Sequence, residues 1–71
     1  MNKDDKISEI LNFVTSHPSS TASLTIFRRH LNIENYYETG AELSIRVKKE
    51  LLNHLNDEDS DEINFCYYLV K

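Results

Sequence analysis

The chain of 71 residues contains one cysteine, one glycine, one proline and no tryptophan, and each scarcity excludes something. Cys66 alone cannot close an internal disulfide, so this is not a disulfide-stapled secreted scaffold and it suits a reducing compartment, leaving an intermolecular bridge as the remaining thiol pairing. A single glycine, Gly40, rules out a glycine-rich loop that cradles phosphate, and no serine lies in a nucleophile elbow. His17, His30 and His54 lack the short spacings at which two imidazoles share a metal, and Cys66 has no companion thiol. The expectation is a protein that is not an enzyme, with no catalytic residue, metal or cofactor. No apolar run approaches membrane-spanning length, and residues 1–6 are charged rather than leader-like, which points to a cytoplasmic protein, or a nuclear one if the source is eukaryotic, without a membrane partner.

So short a chain supports one core, and residues 1–71 read as a single domain. A core of that size contributes roughly 3–5 kcal/mol of net stability, so pairing with itself as a homodimer or with a ligand would matter. Net charge is −4, unevenly distributed. Lys3 and Lys6 against Asp4, Asp5 and Glu9 give −1 over residues 1–23, and Arg28, Arg29, Arg46, Lys48 and Lys49 against Glu34, Glu38 and Glu42 give +2 over residues 24–49. Glu50, Asp57, Glu58, Asp59, Asp61 and Glu62 against Lys71 give −5 over residues 50–71. A mildly basic middle therefore runs into a strongly acidic end.

Ile7, Ile10, Leu11 and Val14 recur at helical spacing between about Asp4 and Thr15, with two aspartates at the positive end of the helix dipole, and Pro18 closes the segment at His17. Ser19 to Ser23 supplies N-cap candidates for a second helix marked by Leu24, Phe27 and Leu31. After a break at residues 35–40, Leu43, Val47, Leu51 and Leu55 recur every four residues, with Ile45 and Leu52 widening the stripe. Ala41, Leu43, Ile45 and Val47 also alternate with polar residues as in a half-buried strand. The four-residue spacing persists to Leu55, beyond ordinary strand length, and favours helix. Asn56 to Glu62 reads as an exposed acidic loop, and Ile63 to Val70, rich in aromatic and β-branched residues, as a strand. Within it, one of Tyr67 and Tyr68 would face the core and the other solvent.

The stretch Leu43-Ser44-Ile45-Arg46-Val47-Lys48-Lys49-Glu50-Leu51-Leu52 resembles the recognition helix of small bacterial and archaeal regulators of the MarR, ArsR and Lrp type. Ser23 to Ile33 is similar to the helix that precedes it. The resemblance implies an α+β fold of the winged helix-turn-helix kind, with three helices followed by a C-terminal strand and wing. It also implies double-stranded DNA as partner, with the third helix in the major groove. The sequence departs from the pattern in two places. Residues 34–40 make a seven-residue connection where three or four is usual, and the wing would carry carboxylates against phosphates.

Two functional expectations follow. The first is a small, non-enzymatic DNA-binding transcription regulator, of the kind phages and plasmids carry, with Arg28, Arg29, Ser44, Arg46, Lys48 and Lys49 as contacts, Arg46 and Lys49 foremost. The alternative is an acidic interaction module of the virus-encoded inhibitor class, engaging a basic host protein through Tyr36, Tyr37, Asp57, Glu58, Asp59, Asp61 and Glu62. Asp57, Asp59 and Asp61 also begin at calcium-loop spacing, but the positions that need glycine and a bidentate glutamate hold Glu62 and Tyr68.

Overall fold

The computed structural model describes the backbone of residues 2–31 and 40–71, with all side chains there except those of residues 40–44, 46 and 47. Four helices account for the described fold: α1 Lys3–Ser16, α2 Thr21–His30, α3 Gly40–Asn56 and α4 Ser60–Val70.

Three helix starts are set by short polar side chains that accept from otherwise unpaired amides. Asn2 Oδ1 accepts from Asp5 N at 2.8 Å, with Asp4 and Asp5 in the first turn of α1. Ser20 Oγ accepts from Ser23 N at 3.1 Å to open α2, and Asp59 accepts from Glu62 N at 2.9 Å to open α4. Helix α1 ends where the His17 amide donates to Phe13 O at 2.8 Å, immediately before Pro18. The buried Ser23 hydroxyl donates to His17 O at 2.6 Å and thereby pins the α1–α2 turn.

Helix α1 is central and packs chiefly against α3 and α4. Ile7, Ile10 and Val14 form its inner stripe, and meet Ile26 and Phe27 of α2, Leu51 and Leu55 of α3, and Ile63 and Cys66 of α4. Two lysines stitch α1 to its neighbours. Lys3 Nζ donates to Asn56 O at the C-terminus of α3 (2.8 Å), where a cation complements the free carbonyls, and Lys6 Nζ donates to Asn64 Oδ1 on α4 (2.6 Å).

The expected winged helix-turn-helix is corrected here. No strand occurs among the described residues, and the architecture is all-α. The segment expected as an acidic loop and then a strand is a short turn followed by α4. The cause is visible in residues 59–70. Asp59 and Glu62 occupy the N-cap and third helical positions, where carboxylates stabilise a helix start. Ile63, Cys66 and Tyr67, and Val70 one turn on, then repeat at helical period and cover α1. Against this the β-propensity of Ile, Tyr and Val is a weak preference, and a solitary strand would leave its backbone groups without partners. The continuation of α3 to Asn56 agrees with the helical reading of Ala41 to Leu55 rather than the strand. The connection expected to be long, with Tyr36 and Tyr37, lies outside the described residues.

Candidate functional site

The last turn of α2 carries Arg28, Arg29 and His30, and the first turns of α4 carry Glu62 and Cys66 at i and i+4, on one helix face. The packing of α2 against α4 brings the two sets together. Arg29 donates to Glu62 through both arms of its guanidinium, Nε to Oε2 at 2.9 Å and a terminal nitrogen to Oε1 at 2.5 Å. His30 Nε2 lies 2.8 Å from Glu62 Oε2. The Cys66 thiol donates to the same oxygen at 3.5 Å and stands 3.6 Å from His30 Nε2. One carboxylate oxygen is thus surrounded by a guanidinium, an imidazole and a thiol. His30 and Cys66 are buried and Glu62 is mostly covered.

The electrostatics follow from this arrangement. Hydrogen bonds from Arg29 and His30 outweigh the cost of partial burial and hold the Glu62 carboxyl down at about 2. Burial pushes the Cys66 thiol up to about 12, assisted by the adjacent Glu62 charge. Arg29 also lies over the Phe65 ring, 4.6 Å from its centroid, which fixes the guanidinium on its second face. Outside the cluster is an open hollow of about 410 Å³ lined by Arg29, His30, Glu58 and Glu62. His30, Glu62 and Cys66 offer one nitrogen, one oxygen and one sulfur within 4.8 Å of one another, a donor set that a metal ion could use.

A second place of interest is the outward side of α3. Ile45 is 72% exposed and Leu52 39%, and Lys48 and Lys49 between them are exposed. Their spacing puts all four on one stripe. Leu52 also lines a hollow between α1 and α3 with Asp4, Ile7, Ser8, Leu11 and Asn56.

The residues expected to contact partners are distributed unevenly between these places. Arg28, Lys48 and Lys49 are exposed and enter no ion pair among the described residues. Arg29 is engaged by Glu62, so a cation expected to contact DNA and an acid expected to contact a basic protein neutralise each other instead. Asp59 is occupied as the α4 cap, Asp57 and Asp61 are exposed, and Glu58 lines the hollow. The side chains of Ser44 and Arg46, and residues Tyr36 and Tyr37, lie outside the described residues. Spacing along the chain does not reveal the His30–Glu62–Cys66 grouping, because His30 is 32 residues from Glu62. The usable signal is Asp59-Ser60-Asp61-Glu62, a helix-start pattern that places Glu62 and Cys66 one turn apart.

Comparison with known proteins gives no relative. No family model, curated protein or solved structure matches the chain.

Proposed function

We propose that this chain is a non-enzymatic interaction module that docks an acidic, partly apolar protein segment on the outward face of α3. The observation that carries the reading is the exposed stripe Ile45, Lys48, Lys49 and Leu52. Exposed large aliphatic side chains bracketing two lysines that enter no ion pair among the described residues suit a helix or extended segment that alternates Leu or Ile with Asp or Glu. The apolar positions supply burial, and the lysines steer and align the partner. The hollow beside Leu52 extends the apolar part of the surface onto α1. The acidic turn is the weaker candidate surface, since Glu62 and Asp59 are already engaged within the fold.

The test is selection from a random peptide library on the immobilised protein. Enriched peptides should carry acidic and aliphatic residues in alternation, and Ile45→Asp or Leu52→Asp should weaken their binding by roughly tenfold or more while leaving helicity unchanged. Absence of enrichment, or full binding by both variants, would overturn the reading.

DNA binding is the second reading, favoured by the exposure of Arg28, Lys48 and Lys49 without ion-pair partners among the described residues. An anisotropy titration with duplex DNA at low salt separates the two. Binding that steepens as salt falls and is lost in Lys48→Ala and Lys49→Ala but kept in Leu52→Asp supports DNA.

A further inference from the structure

We propose that His30, Glu62 and Cys66 form a binding site for a zinc-class divalent ion, held between the last turn of α2 and the first two turns of α4.

The geometry carries the inference. The three donor atoms define a triangle with edges of 2.8 Å (Nε2 to Oε2), 3.5 Å (Sγ to Oε2) and 3.6 Å (Sγ to Nε2). A tetrahedral zinc with bonds of about 2.3 Å to sulfur and about 2.0–2.1 Å to nitrogen and oxygen sets its sulfur roughly 3.5–3.6 Å from the other two donors. It sets nitrogen and oxygen roughly 3.3 Å apart. Both sulfur edges already have the metal-bound length. The third is a hydrogen-bonded contact that must open by roughly 0.5 Å, a change within reach of side-chain rotation at Glu62.

The donor types select the ion. A thiolate, an imidazole and a carboxylate suit a borderline-soft cation such as zinc and not magnesium or calcium, which take oxygen ligands. Arg29 acts as the outer-shell partner: it holds both carboxylate oxygens, a terminal nitrogen on Oε1 and Nε on Oε2, and so fixes the carboxylate with Oε2 beside His30 and Cys66, as supporting groups orient first ligands in metal sites. Three protein ligands leave a fourth position, and two of them, His30 and Glu62, line the open hollow edged by Glu58. That side gives the ion a route from solvent, and a water completes the tetrahedron. Charge also balances, because Glu62, the Cys66 thiolate and Glu58 together offset the ion and Arg29. On binding, the thiol proton is released to solvent and His30 ligates as the neutral ring with its proton on Nδ1.

The experiment uses untagged protein, stripped of metal and titrated with cobalt(II) as a spectroscopic substitute for zinc. One ion per chain should bind, giving tetrahedral visible bands and a near-ultraviolet thiolate-to-cobalt charge-transfer band. Zinc in excess should abolish both, whereas magnesium and calcium should not. Zinc at a hundredfold excess over its Kd should raise Tm by roughly 10–20 °C, and Cys66→Ser should lose the charge-transfer band. Because Cys66→Ser can itself perturb folding, the wild-type thiol supplies a second measurement: saturating zinc should slow its alkylation by roughly tenfold or more. A wild-type protein showing no charge-transfer band and an unchanged alkylation rate would overturn the proposal. So would tetrahedral visible bands that persist unchanged in folded Cys66→Ser.

Discussion

Arg29 and Glu62 form a two-armed ion pair that ties the last turn of α2 to the first turn of α4 across 33 positions of sequence. Glu62 is also the partner of His30, so its removal strips acceptors from two basic side chains at once. Glu62→Ala is expected to destabilise the fold by about 1–2 kcal/mol, the range for charge-assisted hydrogen bonds with one half-exposed partner. Urea unfolding followed by circular dichroism measures it, and a midpoint equal to wild type would show that the pair is ornamental to stability.

The same carboxyl is expected to make the fold acid-sensitive. Its ordinary value of 4.5 falls to about 2 in the fold, so between those values the unfolded chain binds more protons than the folded one. Stability is then fully present above about 4.5 and declines as pH falls toward about 2. Glu62→Gln should flatten this part of the curve of unfolding midpoint against pH.

Cys66 predicts the opposite limb. Burial raises the thiol from 9.0 to about 12, so above pH 9 the unfolded chain loses a proton that the folded chain retains. Stability should decline between about pH 9 and 12, by up to one proton's worth of slope more than in Cys66→Ala. Equal alkaline slopes in the two proteins would contradict burial of the thiol.

Asp59 decides whether α4 begins where it does. Asp59→Ala removes the acceptor of the Glu62 amide and should cost about 1 kcal/mol, whereas Asp59→Asn retains an acceptor and most of the stability. Because the cap also positions Glu62, hydrogen exchange should quicken first at the start of α4 and then at the end of α2.

Core truncation should be decisive in so small a protein. Ile10 is fully buried at the centre of α1, and Ile10→Ala is expected to cost about 2–5 kcal/mol, comparable with the roughly 3–5 kcal/mol available to a core of this size. Tyr68, 80% exposed, is the control: Tyr68→Ala should fall within about 0.5 kcal/mol of wild type.

Local signals in the sequence determined the first three helices. Ile7, Ile10 and Val14 share one face, Ser20 caps α2, Pro18 ends α1, and Leu51 and Leu55 continue a period too long for a strand. Such features act within a few residues, so spacing alone exposes them. The same locality misdirected the reading of residues 56–70, where β-branched and aromatic content suggested a strand. Whether Ile63 and Cys66 lie on a sheet or on a helix depends on what covers them, and α1 offers a helical groove with no second strand among the described residues. The site was less legible still. Arg29, His30, Glu62 and Cys66 each look ordinary in one dimension, and only the packing of α2 on α4 places a guanidinium, an imidazole and a thiol around one carboxylate. Sequence determined which segments would be helical wherever the cue was local. Tertiary packing decided the identity of α4 and the company of Glu62, because both depend on contacts between residues more than thirty positions apart.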